Sequence, residues 1–376
     1  MSDKSIPFNR ISFDSGELLR IQEAVSNGHI SGDGPFSKMA ESILSEMHQG
    51  ARVVLTPSCS HALELAARLI GFEPGDEVIV PSFTFVTSVS SFLSHGATPV
   101  FCDIDPVTLG LDLEEAKKLV NPKTKAIVLV HYGGVPANPE GFAELAEEYN
   151  LVLVEDNAHG LGGESNGKPL GTFGAMSTLS FHETKNITCG EGGALVIKDP
   201  QYTERAEVLR EKGTDRSRFF RGQVDKYTWQ DLGSSWILPD ILAAILFAQL
   251  SDFEAIQDRR MRLWNRYHSE LYDWASLNAV GLAPGRTGTA HLFYLLLKNA
   301  GLQLDLIEYL RGAQIGAVFH YQPLHLSPFG SQFNDGRELP VTEKIASSLV
   351  RMPLYAAMTD DEVGRVITST KSFLLQ

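Results

Sequence analysis

The chain is poor in cysteine, in long apolar stretches and in positive charge. Cys59, Cys102 and Cys189 are the only cysteines in 376 residues, an odd number without a CxxC pair. That count excludes a disulfide framework and a thiolate zinc site, and it fits reduced thiols. No apolar run approaches the roughly 18 residues of a membrane-spanning helix. The opening stretch, MSDKSIPFNR, lacks the apolar core of a signal peptide, so a cytoplasmic protein with no membrane partner is expected. Lys and Arg number 32 against 46 Asp and Glu, a formal charge of −14, which argues against nucleic acid as a partner. Eleven histidines include no HExxH, so no metal site is expected. Internal repeats and low-complexity segments are also missing.

What is present is a regular alternation. Short apolar runs of the buried-strand type stand at 53–55, 77–80, 99–102, 126–130, 151–155, 178–181 and 194–197. Helical patterns fill 60–71, 85–95, 112–120 and 140–149 between the earlier ones. Apolar strands separated by helices predict an α/β domain with a mostly parallel seven-stranded sheet covered on both faces. A single long helical pattern runs from Pro239 to about Tyr272, followed by strand-like runs at 291–297, 317–321 and 350–354. The expected division is a large domain over 1–240 and a smaller α+β domain over 241–376.

Ligands of such sheets sit beyond the carboxyl ends of the strands, and the chemistry-bearing residues gather there. Lys185 stands alone between the run ending at Phe181 and the glycine-rich turn Gly190-Glu191-Gly192-Gly193. A lysine held at a sheet edge is partly desolvated, which lowers its pKa and makes it a nucleophile toward carbonyls. Thr56-Pro57-Ser58-Cys59-Ser60 joins the first strand to its helix, where hydroxyls and free N–H groups suit a phosphate. Ser180, five positions before Lys185, offers a further hydroxyl. Val154-Glu155-Asp156-Asn157-Ala158-His159 ends an apolar strand in carboxylates, which are costly there unless they meet a cation. Glu155 faces the opposite side from Asp156 by strand alternation, so Asp156 is the candidate partner for a pyridinium. Phe85, at another strand end, can stack on a planar ring. Together these are the parts of a pyridoxal 5'-phosphate (PLP) site. Gly162 to Pro169 nearly matches a nucleotide P-loop, but Pro169 replaces the magnesium-binding Ser/Thr and a surface turn is expected.

The stretches TPSCS, PSFTF, VEDNAH, SFHETKN and GEGG, in this order and spacing, resemble the DegT-like sugar-nucleotide aminotransferases of the aspartate-aminotransferase fold, PLP-dependent fold type I. REKGTDRSRFFRGQVDKYTWQDLGSS (210–235) and FHYQPLH (319–325) most resemble the dTDP-4-amino-4,6-dideoxygalactose transaminases of bacterial surface-polysaccharide pathways. The resemblance implies that Lys185 carries the cofactor and moves the proton. It implies that Asp156 pairs with the pyridine nitrogen, that Phe85 stacks on the ring, and that Ser58, Cys59 and Ser180 hold the phosphate. His159 stands where many relatives have glutamine, near the ring hydroxyl. A homodimer is implied, with Ser234 and Ser235 in the segment that approaches the partner's phosphate. Lys212, Arg216, Arg221, His320, Tyr321 and His325 are the expected substrate contacts, for L-glutamate and a dTDP-linked keto-deoxyhexose. Dehydratases of the same fold replace the lysine with histidine, and Lys185 counts against that activity.

Overall fold

The computed structural model describes residues 5–14, 16–284 and 289–373. In chain order the strands of the first half are β1 (Arg52–Thr56), β2 (Glu77–Pro81), β3 (Thr98–Cys102), β4 (Thr124–Val130) and β5 (Val152–Asp156). A two-residue hairpin follows, β6 (Glu164–Ser165) and β7 (Lys168–Pro169), and then β8 (Met176–Ser180) and β9 (Gly193–Ile197). The hairpin occupies the near-P-loop stretch, which is therefore a tight turn at the surface. The remaining strands form one seven-stranded sheet in the order β1-β9-β8-β5-β4-β2-β3. Only β9 runs against its neighbours; the other pairs are parallel.

Alternation along each strand explains why both faces are apolar. Val78, Val80, Val128 and Val154 pack with Leu63, Ala66 and Phe92 on one face. Ile79, Ile127, Leu129 and Leu153 pack with Phe142 and Leu145 on the other. Edge strand β1 and strand β9 are completed by helices Pro35–Met47 and Asp240–Ser251, through Phe36, Leu44, Ala243 and Leu246.

The long helical pattern after Pro239 is two helices, Asp240–Ser251 and Phe253–Asn278, broken at Asp252. Ser251 and Asp252 are residues whose short polar side chains compete with helical backbone bonds, and Asp252 takes the N-cap position of the second helix. The break also separates two burial regimes. The first helix is apolar all round and lies within the core of the large sheet. The second is amphipathic and, from Leu263 on, covers a second core.

That second core lies on a four-stranded antiparallel sheet, β10 (Gly281–Leu282), β11 (Phe293–Leu296), β12 (Val318–Phe319) and β13 (Leu349–Met352), in the order β10-β11-β13-β12. Helices Leu302–Gly312, Pro340–Ser348 and Asp360–Ser372 complete it. Ile6, near the other end of the chain, is fully buried in this core and bridges Ile315. No helix among the described residues is long and apolar enough to cross a membrane.

Candidate active site

A cavity of about 490 Å³ opens where β1, β5 and β8 of the parallel sheet end. Its roof comes from the second sheet and its connections: His291, His320, Tyr321 and Arg351. Lys185 lies in the wall, in the loop between β8 and β9. That loop is tied across its width by Phe181 N–H to Gly192 O (2.8 Å), Glu183 N–H to Gly190 O (2.9 Å) and Cys189 N–H to Phe181 O (3.0 Å). The amine is thus delivered by a fixed turn. Burial lowers the Lys185 pKa to about 8, with Asp156 acting against the fall and Arg351 adding to it. A neutral fraction far above that of an exposed lysine then exists near physiological pH, as a nucleophile or base requires.

The two carboxylates that end β5 part as strand alternation predicts. Asp156 lines the cavity, almost fully buried, and accepts from Ser88 Oγ at 2.7 Å and Ala158 N–H at 3.2 Å. Both partners are neutral. Glu155 turns away and is held by His131 Nε2 (2.9 Å) and by the N–H groups of Gly171, Phe173 and Gly174 (2.8, 2.7 and 2.7 Å). Burial alone would raise its pKa, yet His131 and these N–H donors hold it below the ordinary value of 4.5. A depressed carboxylate stabilises the fold above the unfolded-state pKa, and that stability is lost as pH falls through the folded value. Removing the charge in Glu155→Gln should cost on the order of 3–5 kcal/mol. Denaturant titrations should show the parent losing stability below about pH 4.5 and the variant flatter there; parallel curves would refute this account.

At the other end of the cavity, helix Cys59–Ile70 begins with its N-terminus toward the open space, and Ser58 is its N-cap, accepting from His61 N–H at 3.2 Å. Gly193 explains why glycine closes the GEGG turn. A Cβ there would stand 2.4 Å from Cys59 N and Ser58 C, so any side chain would push β9 off the helix start. Burial pushes the Cys59 thiol up to about 12, leaving it a neutral wall. Ser180, Phe85 and His159 line the same cavity. Phe85 is 55% exposed, with its ring centre 6.5 Å from that of Tyr321. His159 stacks on His291 at 4.2 Å, and burial holds both rings neutral by lowering their pKa. Its Nδ1 accepts from Gly133 N–H at 3.2 Å, which leaves the ring hydrogen on Nε2.

Of the expected residues, the structure gathers Ser58, Cys59, Phe85, Asp156, His159, Ser180, Lys185, His320 and Tyr321 around one space. It does not gather the rest there. His325, the last residue of FHYQPLH, is buried under Ser82, whose Oγ lies 2.7 Å from its Nδ1, and faces Glu343 at 3.4 Å. It ties a loop of the second unit to the end of β2. Arg216 pairs with Glu211 and Arg221 with Glu207, each at 2.8 Å, and Lys212, Ser234 and Ser235 are exposed away from this cavity. Among the cavity residues that the sequence does not single out are Ser88, His291 and Arg351. Arg351 carried a readable signal, a charge in the middle of the apolar stretch LVRMPL.

The cavity fits pyridoxal phosphate. A buried carboxylate with no ion pair among the described residues, Asp156, meets the need of a pyridinium N–H. A helix N-terminus flanked by serines meets that of a phosphate, and a lysine of lowered pKa lines the same cavity. Fold and cavity together are those of a PLP-dependent aminotransferase. The DegT/DnrJ/EryC1/StrS aminotransferase family matches residues 12–371, and the chain belongs to that family. The aminotransferase TlmJ from Streptoalloteichus hindustanus superposes with a TM-score of 0.90 at 29% identity, over 98% of both chains. Helicobacter pylori PseC, an aminotransferase involved in the biosynthesis of pseudoaminic acid, gives 0.89 at 25%, again over 98% of both. Spr1654 from Streptococcus pneumoniae gives 0.90 at 26%, over 98% of this chain and 97% of that one, and is also known in PLP and PMP forms. The protein is a PLP-dependent aminotransferase.

Proposed function

We propose that the enzyme moves the amino group of L-glutamate to C4 of dTDP-4-keto-6-deoxy-D-glucose, giving dTDP-4-amino-4,6-dideoxy-D-galactose for a bacterial surface polysaccharide. The observation that carries this reading is that His320 and Tyr321, from the FHYQPLH stretch that bears the closer resemblance, line the same cavity as Lys185. Bound pyridoxal phosphate supplies an electron sink. Asp156 would hold the ring N–H, the Ser58–Cys59 helix start and Ser180 would hold the phosphate, and Phe85 would stack on the ring. His159 would offer its Nε2–H to the ring hydroxyl. Lys185 holds the cofactor and serves as base and acid at the reacting carbon, while Tyr321 and His320 close the roof and exclude water.

The working unit is a cytoplasmic homodimer. Its support is the segment after Gly213, which turns Phe220 (70% exposed), Tyr227 (52%), Trp229 (77%) and Leu232 (63%) outward. So much apolar surface in one segment suits burial against a second copy. In that dimer Lys212, Arg216, Arg221, Ser234 and Ser235 serve the partner's site.

The regiochemistry is tested with PLP-loaded enzyme, glutamate and either the 4-keto or the 3-keto dTDP-6-deoxyhexose, the product being identified by NMR. An axial amine at C4 is expected. An equatorial one would keep the reaction and change the epimer, whereas amination of the 3-keto sugar alone would overturn the proposed substrate.

A further inference from the structure

Asn186 follows Lys185 in the chain, and both ends of its side-chain amide are bonded to the segment that leads into β11 and to the long helix beside it. Its Nδ2 donates to Thr289 O at 2.8 Å and to Gln257 Oε1 at 3.2 Å. Its Oδ1 lies 3.0 Å from His291 Nδ1. A carbonyl oxygen can only accept, so the bond to Thr289 O fixes which end of the amide is the oxygen. His291 therefore carries its hydrogen on Nδ1 and donates it to Asn186. The backbone around that ring is held by a different group, since Arg260 donates to the carbonyls of Ala290 and His291 at 3.1 and 2.7 Å. Asn186 sets the ring and not the chain.

The oriented ring is 4% exposed and stacks on His159, with 4.2 Å between centres and 26° between planes. Tyr132 meets His159 edge-on at 5.8 Å. The backbones of the two histidines are tied as well, through Thr289 Oγ1, which donates to His159 O at 2.6 Å. A Cβ on Gly134 would collide with that hydroxyl and with His159 O, so glycine keeps room for the contact.

Control of the ring plane matters for a histidine at position 159. A glutamine there carries two N–H groups on a flexible stem, whereas a neutral imidazole offers one N–H, in its own plane. The direction of that N–H is set by whatever holds the plane, and the face of His159 is covered by His291. We propose that Asn186 and His291 are positioning residues: Asn186 orients His291, and the stacked His291 ring holds His159 so that its Nε2–H meets the ring hydroxyl of the cofactor. This rests on the reading of His159 as the partner of that hydroxyl, and not on which sugar is aminated or which amino acid is the donor.

The test follows the visible absorbance of the PLP-loaded enzyme against pH, with no donor or acceptor present. As pH rises the bound cofactor gives up a proton, which leaves more negative charge on the ring oxygen. A hydrogen bond to that oxygen favours the deprotonated form and lowers the midpoint. Removing the donor in His159→Ala should therefore raise the midpoint by about one pH unit. Asn186→Ala and His291→Leu should each raise it by about half a unit. Leucine fills a similar volume without a ring or an N–H, so His291→Leu serves even where Asn186→Ala fails to fold. His291→Phe restores a flat face and should recover part of the shift. In a His159→Ala background neither change should move the midpoint further, because both act through His159. The cavity's other histidines and charged side chains among the described residues, Asp156, His182, Lys185, Glu191, His320 and Arg351, are the same in every variant. Circular dichroism and PLP content check that each variant is folded and loaded. An unmoved midpoint in His159→Ala would overturn the reading of His159 and this inference with it. A shift in His159→Ala with none in His291→Leu, or shifts that simply add in the double variants, would overturn the inference alone.

Discussion

Lys185→Ala should fold like the parent and lose transamination by roughly 10⁴-fold or more. The fold should survive because the side chain faces a cavity and the loop that carries it is tied by backbone bonds from Phe181, Glu183 and Cys189, none of which needs the amine. The reaction should not survive, because no other lining group can replace it. His159 and His291 are buried neutral rings stacked on each other. Cys59 is a thiol held protonated, and Arg351 is a guanidinium that does not deprotonate in this role. Circular dichroism and single-turnover absorbance with glutamate check both halves of the expectation. A folded variant that converts the donor at close to the parent rate would remove Lys185 from the centre of the site.

Most strands of the large sheet were legible because they are apolar on both faces and bounded by polar turns; β8, with Ser177, Thr178 and Ser180, is the exception. Asp156 was legible for a different reason. A carboxylate at the tip of such a strand costs free energy unless something meets it, and alternation separated it from Glu155. The same reasoning applies to Arg351 in LVRMPL, but the strand lies on the second sheet, and nothing local says that this sheet roofs the cavity. Residues that meet around the cavity are far apart in the sequence, as are Lys185 and Arg351, which line it together.

Lys212, Arg216 and Arg221 of the basic stretch 210–235 are expected from the resemblance to contact the substrate. In the folded chain Arg216, Arg218 and Arg221 reach back to Glu211, Glu204 and Glu207, on or beside helix Thr203–Arg210. Pairing across a turn has no helical spacing to announce it. Of these only Arg218–Glu204 is exposed on both sides, a kind of pair worth about 0–1 kcal/mol, whereas Glu211 and Glu207 are largely covered. The break at Asp252 escaped for a related reason: neither glycine nor proline marks it, and the change from one core to another is a tertiary event.

Asp156→Asn should lower turnover by about a hundredfold or more while leaving the fold intact. The substitution keeps the shape and removes the charge. Asp156 now accepts from Ser88 Oγ and Ala158 N–H, and one oxygen of asparagine can keep one of these bonds while the hydroxyl of Ser88 rotates to accept from the new NH₂. What is lost is the negative charge, in a place where burial makes it count. Breaking a buried charged pair costs on the order of 3–5 kcal/mol, and each 1.36 kcal/mol that reaches the barrier is about a tenfold loss of rate. With the ring nitrogen unpaired, the cofactor should bind more weakly, with its absorbance less shifted from that of free PLP. Ser88→Ala is the control, since it removes a hydrogen bond but no charge, and it should cost far less in rate. Two measurements decide the matter, the PLP dissociation constant and the donor half-reaction rate. If Asp156→Asn keeps both while Ser88→Ala does not, the carboxylate serves the hydroxyl and not the ring.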